Sequence, residues 1–314
     1  MCGISARMQK VYRIVAKVAA KHHAVLILGE SGTGKELVAR AIHSRGPWRD
    51  QPFVPIDCGA LTPTLIESEM FGHMRGAFTG ATQNRQGLLA AAGDGTVFLD
   101  EIAELPVELQ SKLLRALQER EIKPLGSNER VQMRARIIAA TNQDIEAAVK
   151  RGTFRKDLYF RLNVVSIKLP PLRERPEDIP ALLQFFMEKY KAGESSITSI
   201  SDEVMARLTS YDWPGNVREL ENCVQRVIAL SSGPEVQMSD LPSNILYFVG
   251  EQRHDPQSLA TLQELEQQAI LRALETTQGD RLRAAKLLGI GKTTIYRKLK
   301  EYGLEDAAEP TPSS

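Results

Sequence analysis

Short apolar runs alternate with amphipathic stretches through the first two thirds of the chain. Residues 24–28 (AVLIL), 53–56, 96–99, 135–140 (ARIIAA) and 164–169 each have the length and composition of a strand. Between them lie stretches such as residues 108–119, where Leu109, Leu113, Leu114 and Leu117 recur at helical spacing. Uniformly apolar strands separated by helices predict an α/β fold whose parallel sheet is covered on both faces. From Pro176 onward the strand pattern stops. Residues 179–190, 202–208 and 217–230 predict a small all-helical unit, with a turn at residues 231–233. Residues 249–258 are polar without periodicity and read as a linker. A last helical block covers residues 259–302, and residues 307–314, rich in Pro and Ser, read as a frayed tail.

The first apolar run leads into a glycine-rich turn, Gly29, Glu30, Ser31, Gly32, Thr33, Gly34 and Lys35, and then into a helical pattern. Strand, turn and helix in that order are what a phosphate-binding loop requires. Backbone N–H groups at the helix N-terminus hold phosphate oxygens, and Lys35 adds a point charge for the β- and γ-phosphates of ATP. Such loops normally end in Ser or Thr for Mg²⁺, whereas Glu36 follows the lysine here. The third run (TVFLDE) ends in Asp100 and Glu101. Carboxylates at a strand end are usually a solvated turn. Downstream of a phosphate loop, Asp100 is instead placed to hold Mg²⁺ through water, and Glu101 to polarise the attacking water as a general base. Thr141 and Asn142 end the next run and are placed to sense loss of the γ-phosphate; taken alone, they would be a turn.

The formal net charge of +1 points to neither nucleic acid nor membrane, so any basic surface is local. That local surface is found near the C-terminus. Residues 281–288 and 293–302 predict two short helices separated by residues 289–292 (GIGK), a helix-turn-helix spacing. They follow a longer helix over residues 262–276 with Leu262, Leu265, Ala269, Ile270 and Ala273 on one face. Arg281, Arg283, Lys286, Lys292, Arg297, Lys298 and Lys300 form a stripe with no acid among them. A basic three-helix bundle fits DNA, with a protein-docking domain as the alternative. Cys2, Cys58 and Cys223 are scattered without a CxxC pair, which fits a reducing compartment. No apolar run approaches the roughly 20 residues that span a bilayer, and the N-terminus lacks a secretion signal. The expected location is the cytoplasm, with no membrane partner.

With these motifs in place, the chain resembles the sigma-54-dependent transcription activators, the bacterial enhancer-binding proteins among the AAA+ ATPases, over roughly residues 4–304. The family's phosphate loop reads GESGTGKE, so Glu36 is the family form. The most specific match is Gly76, Ala77, Phe78, Thr79, Gly80 and Ala81 (GAFTGA), preceded by Gly72 and His73. From composition alone these residues are a flexible loop. The resemblance implies a loop that projects from a ring and grips sigma-54, with Phe78 and Thr79 at its tip.

Residues 154–161 (FRKDLYFR) carry Arg155 and Arg161, ordinarily a solvated face. In similar proteins these are trans-acting fingers that complete a neighbour's pocket, which implies a hexameric ring. Arg218, in residues 213–220 (WPGNVREL), corresponds to the family's second sensor, and residues 170–175 (PPLRER) mark the hinge between sheet domain and lid. The family usually has Asn after the second strand, where it restrains the catalytic glutamate. Asp57 stands there, and an anion near Glu101 is expected to repel it and raise its pKa. The C-terminal block resembles the Fis-type DNA-binding domain, with Thr293, Thr294 and Arg297 facing the major groove and Lys292, Lys298 and Lys300 on phosphates. Such domains bind enhancer DNA as dimers at paired half-sites.

The implied fold is an AAA+ P-loop parallel sheet over residues 1–172 and a helical lid over 173–245. A linker (246–260), an all-α helix-turn-helix domain (261–304) and a disordered tail (305–314) complete it. The implied function is ATP-driven remodelling of sigma-54 RNA polymerase, from closed to open promoter complex. A different AAA+ remodeller would lack the GAFTGA loop and the helix-turn-helix. A DNA-binding repressor in which the ATPase is only a sensor is the other alternative, and a Thr79→Ala variant discriminates it. The ATPase pattern begins almost at Met1, so control comes from a separate regulatory protein, from concentration, or from a segment of a longer chain.

Overall fold

The five apolar runs pair side by side in one parallel sheet. Its strands are β1 (Val25–Leu28), β2 (Phe53–Asp57), β3 (Thr96–Asp100), β4 (Arg136–Thr141) and β5 (Val165–Lys168). Their order is β2-β3-β4-β1-β5, so β4, buried at every position, lies at the centre. Alternation along the strands divides the core in two. Val25, Ile27, Phe98 and Ile138 face helices Ala6–Ala19 and Lys35–Ser44, while Leu26, Leu99 and Ile137 face helix Val107–Glu119. The computed structural model describes residues 3–190, 199–231, 233–248, 266, 269–274, 277 and 280–302. They belong to two compact units, Met1–Gly250 and Glu251–Ser314.

Helix Ala6–Ala19 has no counterpart in the sequence reading. Ser5 caps it, accepting from Met8 N at 3.2 Å. The buried Asp178 carboxylate accepts from Ile4 N (2.6 Å), Ser5 N (2.7 Å) and Ser5 Oγ (2.8 Å). At the other end, Arg136 donates to the carbonyls of Val18 (2.9 Å) and His23 (3.1 Å). Burial pulls the Arg136 pKa down to about 10, which leaves it charged at neutral pH to close the helix C-terminus.

The lid gathers helices Ile179–Tyr190, Asp202–Ser210, Asn216–Leu230 and Ser243–Leu246 around the fully buried Trp213. The indole Nε1 donates to Leu208 O at 2.8 Å. The unit is not purely helical, as the sequence implied: Ser199–Ile200 and Glu235–Val236 pair in parallel. Two residues carry no readable alternation, which is why this ladder escapes a pattern search. Cys58 and Cys223 are free and buried, and burial pushes both thiols up to about 12.

In the second unit, helices Arg281–Leu287 and Lys292–Glu301 pack through Ala284, Ala285, Ile295 and Leu299 against Ile270, Ala273 and Leu274. Ala269, assigned to the apolar face from sequence, is exposed, and Leu274 takes the buried position. Leu262 and Leu265, the linker around residues 249–258 and the tail after residue 302 lie outside the described residues. Among the described residues no helix is long and apolar enough to cross a membrane.

Asp178 faces Arg175 across 3.9 Å, both buried. Removing one member of a buried pair strands the other's charge, so Asp178→Ala is expected to destabilise its unit by about 3–5 kcal/mol. An unchanged urea midpoint for the variant would contradict this.

Candidate active site

The C-terminal ends of β1, β3 and β4 converge on one lysine. Lys35 is only 6% exposed. Its Nζ donates to Gly29 O at 3.1 Å and Glu101 Oε1 at 3.2 Å. The other Glu101 oxygen accepts from Asn142 N at 3.0 Å, and Gly29 N donates to Thr141 O at 3.3 Å. Gly34, left-handed at φ 99°, starts helix Lys35–Ser44. A Cβ there would meet only Leu37 Cδ1 at 3.8 Å, so the backbone is open to a phosphate. Glu36 accepts from Arg40 Nε at 2.8 Å on the surface of the same helix.

Glu101 is itself left-handed, at φ 48° and ψ 47°. That backbone costs a non-glycine residue about 1–3 kcal/mol and tends to accompany function. Asp100 Oδ1 accepts from Glu101 N at 3.0 Å. Burial raises the Asp100 carboxyl above its usual range, and the negative charges of Glu101 and then Asp57 add to this. Asp57 lies opposite Asp100 in the sheet register but accepts from Gly59 N at 2.9 Å. Glu101 is held by Lys35 and Asn142.

The lid closes onto the same loop. Gly32 O accepts from Val217 N at 3.0 Å and Arg218 N at 3.3 Å, the first turn of helix Asn216–Leu230. The exposed Arg218 guanidinium reaches Ser31 Oγ at 3.4 Å. Thr33 Oγ1 turns inward to Glu30 O at 2.7 Å. Glu30 makes a bidentate pair with Arg173 at 2.6 and 2.8 Å, and the Arg173 hydrogen bonds hold its carboxyl below the usual range. Asn216 Nδ2 donates to Glu30 Oε2 at 3.2 Å and Ser31 O at 3.0 Å. The Glu30–Arg173 pair and Asn216 were both missed from sequence. Residues 170–175 read only as a junction there, and residues 213–220 only as a helix start carrying Arg218.

Arg155 and Arg161 lie away from this cluster. Arg155 donates to Asp157 at 2.7 and 3.1 Å and to Ser111 Oγ at 3.2 Å, and Arg161 donates to Leu117 O at 2.8 Å. Both are exposed, beside a 63% exposed Phe160. Residues 76–81 join the two-residue strands Gly72–His73 and Arg85–Gln86, and Gly76 N closes the loop onto Ala81 O at 2.8 Å. Thr79 and Gly80 are exposed, whereas Phe78 is half-buried with its ring edge-on to His73 at 5.1 Å. Ala77 packs on the loop at Gly126, where an added Cβ would meet its own at 3.0 Å. The Phe78 ring thus rests against His73, while Thr79 is exposed.

In the second unit Lys292, Thr293 and Arg297 are exposed and Thr294 is half-buried. Lys298 is tied to Glu266 at 2.9 Å and Glu301 at 3.4 Å. Those carboxylates raise its pKa and compete with any phosphate.

With this geometry in hand, three family matches cover the chain. The sigma-54 interaction domain matches residues 1–168, an AAA+ ATPase lid domain residues 173–258, and the bacterial regulatory protein Fis family residues 261–302. Regulatory protein AtoC of Escherichia coli K12 is 46% identical over 96% of this chain and 68% of its own length. The transcriptional regulatory protein FlbD of Caulobacter vibrioides is 44% identical over 97% and 70% respectively. Crystal structures of Brucella abortus NtrX include complexes with ADP and with ATP. The ADP complex superposes with a TM-score of 0.72 at 34% identity, over 96% of this chain and 69% of that one.

A Cβ at Gly32 would come within 2.2 Å of Gly215 O, at a φ of 75° that disfavours any side chain. Gly32→Ala is therefore expected to push the lid off the loop and lower ATP affinity at least about tenfold, the equivalent of one or two net hydrogen bonds. Calorimetric titration with ATP checks this.

Proposed function

The chain belongs to the sigma-54 interaction domain family: it is an ATP-hydrolysing, DNA-binding activator of transcription by sigma-54 RNA polymerase, and we propose how its residues divide that work. The observation that carries the proposal is the Lys35–Glu101 contact, which ties the phosphate loop to the end of β3.

Residues 29–35 hold the phosphates of ATP through backbone N–H groups at a helix N-terminus. Phosphate oxygens compete with Glu101 for Lys35. Once Lys35 turns to them, Glu101 is released to take a proton from the water that attacks the γ-phosphorus as the bond to ADP breaks. The general base is thus freed by the substrate it acts on. Asn142, whose N–H holds the second Glu101 oxygen, reports γ-phosphate loss back through β4, and Arg218 reports it to the lid. Mg²⁺, when bound, neutralises phosphate charge. Asp100 is the residue that would hold it, through water, and its burial suits a carboxylate that gains a cation. Among the described residues no cluster of three ligating side chains forms a protein cage.

Arg155 and Arg161 act on a neighbouring subunit's pocket, which makes a hexameric ring the active form, and the exposed Phe160 beside them belongs to that interface. Residues 76–81 are the part that moves sigma-54, with Phe78 leaving His73 to engage it. Thr293 and Arg297 read enhancer DNA and Lys292 anchors a phosphate, in dimeric pairs. The site of action is the cytoplasm, under a separate regulatory protein or a further segment.

Glu101→Gln is expected to lower kcat by about 10²–10⁴ while ATP still binds. Arg155→Ala and Arg161→Ala are each expected to lower it by about 10³–10⁵. Mixing inactive Lys35→Ala with inactive Arg155→Ala subunits restores hydrolysis if the fingers act between protomers; no recovery sinks the ring. Thr79→Ala is expected to abolish sigma-54-dependent transcription with ATPase intact. Normal transcription from that variant would favour a repressor with a sensing ATPase.

A further inference from the structure

Asn216 is fully buried and left-handed, with φ 53°. Its amide orientation is fixed by what surrounds it. Leu172 N is a donor and must face Oδ1, at 2.8 Å, while Ser31 O (3.0 Å) and Glu30 Oε2 (3.2 Å) are acceptors and must face Nδ2. One side chain therefore joins the start of the lid helix, the chain entering the lid at Leu172, and two consecutive residues of the phosphate loop. The lone acceptor and both amide hydrogens are used. Asn216 is itself fully buried, so a lost bond leaves its own amide without a ready partner, whereas half-buried Glu30 and exposed Ser31 keep access to water. Asn tolerates the left-handed backbone better than any residue except glycine, and glycine would supply none of the contacts.

We propose that Asn216 is a positioning residue that fixes the phosphate loop against the lid and thereby sets the affinity for ATP. It touches no reacting atom; it acts through Glu30 and Ser31. Asp at this position keeps the shape and the Leu172 bond but turns an oxygen against Ser31 O and the Glu30 carboxylate. Glu30→Gln removes the carboxylate–carboxylate part of that repulsion at unchanged total charge, while the Ser31 carbonyl stays opposed and the Arg173 pair is weakened, so the relief is partial.

The inference rests on residues 29–35 being the phosphate site, which Lys35→Ala tests separately: if that variant binds ATP normally, the site is elsewhere. In the full chain, with a fluorescent ATP analogue and steady-state ATPase as readouts, Asn216→Asp is expected to weaken binding and raise KM at least about tenfold, with a smaller change in kcat. Adding Glu30→Gln to it is expected to recover at least about threefold, which a merely structural role would not produce. Wild-type affinity in Asn216→Asp, or a double variant no tighter than the single one, overturns the proposal. Should Asn216→Asp fail to fold, Asn216→Gly decides the matter. Its backbone accepts φ 53° freely, and it is expected to fold and lose the same affinity; if it binds ATP as the wild type does, the proposal is wrong.

Discussion

The first N–H groups of a helix need partners, and in this ATPase they find one in another part of the fold. Val217 and Arg218, at the start of the principal lid helix, donate to the carbonyl of Gly32 in the phosphate loop. Satisfying that helix end and closing the lid are therefore one event. The approach is so close that the loop can carry no Cβ at Gly32, which ties a sequence requirement in the first fifty residues to a helix that begins after residue 215. A shift of the loop on phosphate binding must move the lid helix or break two hydrogen bonds. The two hydrogen bonds are thus a direct physical link between the phosphate loop and the lid helix.

Around that contact the charges are arranged in competition. Lys35 is shared by a loop carbonyl and Glu101, Glu30 is neutralised by Arg173, and Asp100 sits in surroundings that disfavour its charge. Of these, buried Lys35 is the one whose interactions the low local dielectric strengthens, whereas the Glu30–Arg173 pair is exposed to solvent. The left-handed backbone at Glu101 is maintained by the same contacts, from Lys35 on one oxygen and Asn142 on the other. The sheet is what holds this arrangement in place. β1, β3 and β4 are adjacent and buried, so their ends cannot drift apart independently.

Much of this was legible in the sequence where a periodic signal existed. The five strands were found because buried parallel strands read as unbroken apolar runs, and their observed ends differ from the expected ones by a residue. Helix Ala6–Ala19 was legible in principle, since Met8, Val11, Val15 and Val18 recur at helical spacing and all are buried. The bond from Gly59 N to Asp57 Oδ1 was not legible, because it is a local turn contact that no strand pattern reports. The Asn216 contacts with Glu30 and Ser31 were not legible. Their partners lie 186 and 185 positions away, and only the packed fold brings a helix start onto a loop so distant in the chain. The contact of the Phe78 ring with His73 was not legible either, since composition says only "flexible loop".

The same lesson applies to the basic stripe of the second unit, where spacing and charge alone overstate what is available. Ile295 and Leu299 are buried, and this orientation of helix Lys292–Glu301 turns Thr293, Arg297 and Lys300 outward at intervals of four and three, along one face. A helix presented that way can enter a groove with that row of side chains foremost. Lys298 follows Arg297 in sequence but points to a different side, where Glu266 and Glu301 neutralise it. Its charge stabilises the bundle and adds little to the surface field. A lysine already paired with two carboxylates adds less to the outward positive field than exposed Arg297 and Lys300 do, so counting cations along the sequence overstates that field.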